Sequence, residues 1–141
     1  MDIRPLTEAY AVSPQIQPED MAAITDAGFK TVVCNRPDGE IPSELQADIM
    51  RSAAEAAGLH FVFNPVIGGA ITMENVHEQG RAMEESTGPV LAYCASGNRS
   101  SIVWALSQAG KQPTDTLIAI TARHGYGLEP FRDTIDQLGK G

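Results

Sequence analysis

The chain has little of what several classes of protein require. Its 141 residues include two cysteines and three histidines, too few for a disulfide framework, a four-cysteine zinc site or a zinc-finger spacing. Basic side chains number 10 against 18 acidic ones, and the net charge of −8 disfavours binding to nucleic acid or to an anionic membrane. No apolar run approaches the ~20 residues of a membrane span, and the N-terminus lacks the basic and apolar regions of a signal peptide. These absences predict a cytoplasmic protein with free thiols, for which no metal ion and no organic cofactor is implied.

The remaining pattern indicates alternating strands and helices. Apolar and β-branched runs predict strands at residues 8–12, 29–35, 59–64 and 90–93. Between them, capping patterns predict helices that open at Pro18, at the capping box of residues 43–46 and at Thr72. Further helices are predicted over 99–109, 114–124 and 130–138. The length and a hydrophobic content of 43% fit a single domain spanning residues 1–141.

Strands separated by helices of this length favour βαβ units. They predict an α/β fold with a short, mostly parallel sheet, and the helical C-terminal third is expected to cover one face of it. Ligands of such sheets bind beyond the carboxyl ends of the strands. Candidate functional residues are therefore expected in the loops that follow the strands.

The segment VLAYCASGNRSS, residues 90–101, carries the strongest chemical signal. A buried strand leads into Cys94, a short polar loop follows, and a helix opens close to Arg99. Successive loop amides can form an anion-binding concavity around the cysteine. The residues predicted to form this anion-binding loop are Ala95, Ser96, Gly97, Asn98 and Arg99.

Each part of this loop has a physical use. Gly97 permits the left-handed backbone that such a turn requires, and the following helix directs its N-terminal N–H groups and positive dipole end at the same point. These fields favour the thiolate of Cys94 over the thiol, and the thiolate is the nucleophile. Arg99 supplies a planar fork that can hold two oxygens of an anion, and Ser100 is predicted to tune the thiol by hydrogen bonding.

The pattern Cys-x-x-Gly-x-Arg-Ser after a buried strand resembles the active-site loop of the cysteine-dependent phosphatase and rhodanese superfamilies. The segments SPQIQPEDMAAITDAGFKTVVCNRPDGE, NPVIGGAIT and YCASGNRSS are similar to the phosphatase-like domain of bacterial β-lactamase-hydrolase-like proteins, often described as sulfur transferases. The segment GLEPFRDTIDQL is similar to the closing helix of small dual-specificity phosphatases. The resemblance implies a protein tyrosine phosphatase-like fold, with helices on both faces of the sheet.

Three features depart from the phosphatase pattern. Four residues separate Cys94 from Arg99, as in rhodaneses, whereas phosphate-cleaving relatives have five. Tyr93 stands where protein tyrosine phosphatases have histidine. The segment PVIGGAIT, residues 65–72, matches the loop that usually carries the acidic catalyst, yet it contains no carboxylate. Loss of a general acid costs ~10²- to 10⁴-fold in the departure of an alkoxide, whereas sulfur transfer needs no such acid.

The sequence therefore predicts transfer of sulfane sulfur from thiosulfate or a persulfide to a thiol acceptor, through a Cys94 persulfide. The expected partners are a small anionic sulfur donor or a phosphate ester, with a thiol or protein acceptor. One alternative is a phosphatase that acts on aryl phosphates through a phosphocysteine. Another is a non-catalytic module that senses anions or persulfides through a partner.

Secondary candidates lie in the loop NRPDGE, residues 35–40, which follows another predicted strand. Arg36 is a candidate second anion contact. Asp38 is a candidate substitute acid, although β-turn chemistry explains an aspartate there more simply. Cys34 is a candidate resolving thiol if its strand neighbours that of Cys94, although a buried small side chain is the simpler interpretation. Tyr126, between two glycines, is predicted to be exposed enough to touch a ligand.

Overall fold

The computed structural model describes residues 1–140 and contains a five-stranded sheet. Its strands are β1 (Arg4–Pro5), β2 (Tyr10–Ser13), β3 (Thr31–Cys34), β4 (His60–Phe63) and β5 (Val90–Tyr93). Their spatial order is β1-β2-β5-β3-β4; β1 pairs antiparallel with β2, and the other pairings are parallel. The strand β5 lies between β2 and β3, so the carboxyl ends of four parallel strands meet at one edge.

Six α-helices surround the sheet within residues 1–140. They are α1 (Met21–Asp26), α2 (Ala47–Ala56), α3 (Met73–Glu85), α4 (Asn98–Ser107), α5 (Thr114–Ala122) and α6 (Arg132–Lys140). Over this part of the chain, no helix has both the length and the apolar character needed to cross a membrane. Thr72 caps α3 as predicted, because its side chain accepts a hydrogen bond from the Asn75 N–H.

The two faces of the sheet pack against different helices. Leu91 and Tyr93 of β5 lie in one apolar core with α1 and α2, whereas Val90 and Ala92 lie in a second core with α3, α4, α5 and α6. This alternation is the period of two expected of a strand that is buried on both sides. The predicted α/β fold, with a mostly parallel sheet and helices on both faces, is confirmed.

Two local predictions need correction. The first predicted strand, residues 8–12, begins and ends later, at Tyr10–Ser13, and β1 precedes it as a short edge strand that the pattern did not indicate. The capping box predicted at residues 43–46 is wrong, because Ser43–Leu45 forms a separate 3₁₀ turn and α2 begins at Ala47. The Ala47 N–H instead donates to Asp38 Oδ1 at 2.8 Å, so a carboxylate from an earlier loop caps this helix.

A buried glutamine joins the loops that follow three strands. Gln79 Nε2 donates to the Tyr10 hydroxyl at 2.8 Å, and that hydroxyl donates to the Ser100 carbonyl at 2.9 Å. Gln79 Oε1 accepts from Asn35 Nδ2 at 3.1 Å and from Asn64 Nδ2 at 3.2 Å. Asn35 follows β3, Asn64 follows β4 and Ser100 lies in the first turn of α4. One amide therefore ties together the segments that leave β3, β4 and β5.

We expect Gln79→Leu to lower the free energy of unfolding by about 2 kcal/mol, because the buried Tyr10 hydroxyl and two asparagine amides each lose a partner. Urea denaturation measures the change. His77→Leu places the same residue on the exposed side of the same helix, and we expect it to change stability by less than about 0.5 kcal/mol. Equal effects of the two substitutions would contradict a structural role for the Gln79 hydrogen bonds.

Candidate active site

Cys94 lies at the carboxyl end of the central strand, immediately after β5. The residue is 1% exposed, and its Sγ accepts a hydrogen bond from the Gly97 N–H at 3.1 Å. Gly97 has a φ of +94° and is the N-cap of α4. The left-handed conformation turns the chain directly from the loop into the helix, so the N-terminus of α4 begins beside the sulfur. A helix N-terminus favours negative charge at the position it faces.

The loop backbone is arranged so that its carbonyls are occupied. The Ala95 carbonyl accepts from the Gln15 N–H at 3.4 Å, and the Ser96 carbonyl accepts from the Tyr126 hydroxyl at 2.8 Å. Across residues 1–140, the N–H groups of Ala95, Ser96 and Arg99 have no hydrogen-bond acceptor. Loop amides without protein acceptors are the groups that bind oxyanions in loops of this kind.

Tyr126 packs against the loop of residues 95–99 and donates a hydrogen bond to it. Its residue exposure is 6%, so the prediction that it is exposed to ligand is wrong. Besides donating to the Ser96 carbonyl, its hydroxyl accepts from Arg4 Nη1 at 2.6 Å. A Cβ atom added to Gly97 would lie 2.2 Å from the Tyr126 hydroxyl oxygen. Glycine at position 97 is therefore required twice, by its backbone angle and by this close contact.

Arg99 is held at the rim of the loop by two partners. Its Nη1 donates to the Val66 carbonyl at 2.9 Å, which ties it to the loop of residues 65–72. Both terminal nitrogens also bind Glu40, with distances of 2.7 Å from Nη1 to Oε2 and 2.8 Å from Nη2 to Oε1. The bidentate pair raises the pKa of the Arg99 guanidinium and holds the pKa of the Glu40 carboxyl below its ordinary value.

Glu40 was not among the candidates from the sequence, although it ends the NRPDGE segment. Its Oε1 also accepts from Arg36 Nε at 3.2 Å, so the carboxylate lies between two guanidinium groups. Arg36 Nη1 donates to Gln15 Oε1 at 3.2 Å. The structure thus brings Arg36 to the same rim as Arg99, through Glu40. One feature of the sequence could have indicated Glu40: it follows Arg36 by four residues, a spacing that suits an ion pair between the two side chains.

Asp38, the candidate substitute acid, contacts the start of α2. Its Oδ1 accepts from the Ala47 N–H at the start of α2, which is a capping role. No carboxylate occurs in residues 65–72, so the position that usually carries the acid has none. Within the described residues, the carboxylate that contacts Arg99 is that of Glu40, as its ion-pair partner.

The remaining candidates lie near the loop without contacting the sulfur. Cys34 pairs in register with Tyr93, is buried, and its thiol donates to the Arg36 carbonyl at 3.4 Å. Cys34 and Cys94 are both free thiols, and burial raises the pKa of Cys34. The Ser100 hydroxyl is buried and has no hydrogen-bond partner within residues 1–140, so it does not bond to Cys94 Sγ as arranged here.

We expect Gly97→Ala to abolish the activity that depends on Cys94 and to destabilise the fold by more than about 2 kcal/mol, because of the backbone angle and the Tyr126 contact. The measurements are turnover and urea denaturation. Gly28→Ala is the matched control, since Gly28 has a φ of +99° and nothing within 4 Å of an added Cβ. We expect it to show the backbone cost alone, with activity retained. Equal destabilisation by both substitutions would contradict the steric part.

Comparison with known proteins places the chain in a family. Residues 2–111 match the family described as "Beta-lactamase hydrolase-like protein, phosphatase-like domain". The beta-lactamase hydrolase-like protein of Xylella fastidiosa (strain Temecula1) is 34% identical over 130 residues, which are 91% of this chain and 30% of that protein. The chain thus spans less than a third of the length of this curated relative.

Solved structures of similar fold cover nearly the whole chain. A candidate phosphatase of Neisseria meningitidis Z2491 has a TM-score of 0.83 and 34% identity, and the match covers 98% of this chain and 99% of that one. PTPMT1 in complex with PI(5)P has a TM-score of 0.79 at 13% identity, with 98% and 94% covered, and shows the fold alone. The resemblance seen in the sequence is confirmed. The chain belongs to the family of phosphatase-like domains of beta-lactamase hydrolase-like proteins, on a protein tyrosine phosphatase-like fold.

Proposed function

We propose that this protein is a cysteine-dependent phosphatase that cleaves phosphate monoesters through a phosphocysteine. The observation that carries the proposal is the hydrogen bond from the Gly97 N–H to Cys94 Sγ at the N-terminus of α4, beside Arg99. That arrangement stabilises a thiolate and offers amides and a guanidinium to a tetrahedral oxyanion. The family match and the Neisseria meningitidis structure support this chemistry over sulfur transfer, the function first predicted from the sequence.

The reaction needs two displacements at phosphorus. In the first, the Cys94 thiolate attacks the phosphorus atom, the S–P bond forms, the ester P–O bond breaks, and the alcohol oxygen leaves with the electron pair and takes a proton from solvent. In the second, water attacks phosphorus, the S–P bond breaks, and inorganic phosphate and the thiolate are released. The loop amides and Arg99 bind the equatorial oxygens, where negative charge is concentrated.

The missing acid restricts the leaving group. Residues 65–72 carry no carboxylate and Asp38 caps α2. Glu40 lies at the rim, but its hydrogen bonds to Arg99 hold the pKa of its carboxyl below the ordinary value and so disfavour the protonated form that a general acid needs. Phenolates leave more readily than alkoxides. The proposed substrates are therefore aryl phosphates such as phosphotyrosine. The complex of a P. aeruginosa TpbA variant with pTyr shows this ligand class on a related fold.

We expect the wild-type protein to hydrolyse p-nitrophenyl phosphate, and Cys94→Ser to lose at least about 10³-fold in kcat. Arg99→Lys keeps the charge but loses the planar fork, so we expect it to raise KM and lower kcat. Wild-type protein quenched in acid during turnover should retain one phosphoryl group, found by intact-mass spectrometry and absent from Cys94→Ser. Hydrolysis that persists in Cys94→Ser would contradict the proposal.

A second candidate function is sulfur transfer, favoured by one observation: only four residues separate Cys94 from Arg99. A shorter loop offers fewer amides to a full phosphate group. In this chemistry the Cys94 thiolate attacks the sulfane sulfur of thiosulfate, a new S–S bond forms, and sulfite leaves with the electron pair. A thiol acceptor then attacks the outer sulfur of the Cys94 persulfide, leaving an acceptor persulfide and a regenerated thiolate.

If the second candidate is right, exposure to thiosulfate or glutathione persulfide should add the mass of one sulfur atom to the wild type and not to Cys94→Ser. Cyanide or a thiol should remove it. An adduct that forms without turnover of any acceptor would indicate the sensing module rather than an enzyme. If neither donor gives an adduct and the protein hydrolyses p-nitrophenyl phosphate, sulfur transfer is excluded and the phosphatase proposal stands.

A further inference from the structure

One peptide group of the anion-binding loop connects the candidate nucleophile to an arginine of the edge strand. The Ser96 carbonyl and the Gly97 N–H belong to the same peptide bond, and in a trans peptide they point in opposite directions. The N–H donates to Cys94 Sγ at 3.1 Å, and the carbonyl accepts from the Tyr126 hydroxyl at 2.8 Å. That hydroxyl accepts from Arg4 Nη1 at 2.6 Å. These hydrogen bonds form a relay that runs from the guanidinium to the sulfur.

Every donor in the relay points towards Cys94. Arg4 donates to Tyr126, Tyr126 donates to the peptide, and the peptide donates to the sulfur. Hydrogen bonds aligned in this way polarise one another, so that each bond strengthens the next donor. The first donor is a cation, which makes a stronger hydrogen bond than a neutral group does. Burial raises the pKa of the Tyr126 hydroxyl, which therefore keeps the proton that it donates to Ser96.

Arg4 is held in the position that the first donor requires. It lies in β1, in register with Val12 of β2. Asp2 Oδ2 accepts from Arg4 Nε at 3.0 Å and from Nη2 at 2.5 Å, whereas Nη1 is the nitrogen that donates to Tyr126. The Arg4 side chain is 30% exposed, and Asp2 offsets its charge. Because solvent and Asp2 both weaken the field of Arg4 at a distance, the relay is the more effective route from Arg4 to Cys94.

A second tyrosine makes the same kind of hydrogen bond without a connection to the sulfur. The Tyr10 hydroxyl donates to the Ser100 carbonyl at 2.9 Å. The N–H group of that peptide bond belongs to Ser101 and donates to the Gly97 carbonyl at 3.0 Å. This chain of hydrogen bonds therefore ends on a backbone carbonyl. Tyr10→Phe is the matched control for Tyr126→Phe.

We propose that Arg4 and Tyr126 are positioning residues that stabilise the thiolate of Cys94 through this relay. When Cys94 loses its proton, the Gly97 N–H bonds to a full negative charge, and the aligned donors favour this charged form over the thiol. The two residues act through the peptide group rather than by contact with substrate. The inference rests on the proposed function in one respect, the use of the Cys94 thiolate as the reactive group.

The test is titration of the Cys94 thiolate by its ultraviolet absorbance. Subtracting the titration of each variant's Cys94→Ser form removes the signals of Cys34 and the tyrosines. We expect Tyr126→Phe and Arg4→Met each to raise the pH midpoint by about 0.5 unit, which lowers the thiolate about threefold at a pH below the midpoint. In the Tyr126→Phe background, Arg4→Met should add less than about 0.2 unit, because the hydroxyl that carries its effect is gone.

Turnover gives a second measurement of the same effect. With p-nitrophenyl phosphate, the acidic limb of the pH profile of kcat/KM should move by the same amount as the titration midpoint. The other ionisable groups around the relay and the loop are kept in these variants. They are Asp2 and His124 beside β1, and Glu40, Arg99, Cys34 and Tyr10 around the loop.

The control variant separates stability from the effect on the thiolate. Tyr10→Phe should lower the midpoint of urea denaturation, because Gln79 loses its acceptor, without moving the titration midpoint. An unchanged titration midpoint in Tyr126→Phe would overturn the inference and leave its hydroxyl a structural role. An equal Arg4→Met shift in both backgrounds would also overturn it and make Arg4 a charge that acts through space. So would a shift in Tyr10→Phe as large as that in Tyr126→Phe.

If Tyr126→Phe does not fold, Arg4→Met decides the test by itself. An unchanged titration midpoint would overturn the inference. A shift that persists at high salt would support it, and a shift that high salt abolishes would overturn it, because salt screens a distant, partly exposed charge.

The two proposals fail in different ways. Hydrolysis that depends on Cys94, without the expected shifts, would overturn only the relay. The expected shifts without hydrolysis of any phosphate ester would support the relay and overturn the phosphatase. A Cys94 that stays a thiol throughout the titration and shows no turnover would overturn both.

Discussion

The site depends on one backbone constraint: the chain must leave β5 and enter α4 within four residues while the Gly97 N–H donates to Cys94 Sγ. Gly97 meets this constraint with a φ of +94°, which places its N–H 3.1 Å from the sulfur and starts the helix at the next residue. The carbonyls that such a turn forces outward are held by Gln15 and by Tyr126. The N–H groups of Ala95, Ser96 and Arg99, in contrast, have no acceptor among residues 1–140.

The charge at the site differs in sign from the net charge of the chain. The whole chain carries a net charge of −8, which opposes anionic ligands at a distance. Locally, Arg36 and Arg99 supply two positive groups on either side of Glu40. Glu40 keeps both guanidinium groups paired. Two guanidinium groups and one carboxylate leave this rim with a net local charge of +1 in an acidic protein.

The scaffold beneath the loops is polar as well as apolar. Gln79 is fully buried and links Asn35, Asn64 and Tyr10, and through Tyr10 the first turn of α4. Hydrogen-bonded groups in such a buried network favour one arrangement of the segments they join. Among residues 1–140, Asn35 Oδ1 is the buried atom of this network that has no partner. Gln79 therefore fixes the relative positions of three loops on the inner side of the site. These loops carry Arg36 and Glu40, then Val66, and then Cys94 and Arg99.

Local pattern in the sequence was enough for the order of β2 to β5 and of the helices, the mostly parallel sheet and the loop from Cys94 to Arg99, although it did not indicate β1. Those features depend on periodicity, glycine placement and residues adjacent in the chain. Tertiary structure alone decided the partners that come from distant segments: Glu40 on Arg99, Asp38 on the N-terminus of α2, Tyr126 behind Gly97, and Gln79 beneath three loops. Glu40 and Arg99 lie far apart in the chain and meet because the parallel neighbours β3 and β5 end at the same edge of the sheet. Spacing along a sequence carries no information on such a meeting, because it depends on which strands become neighbours.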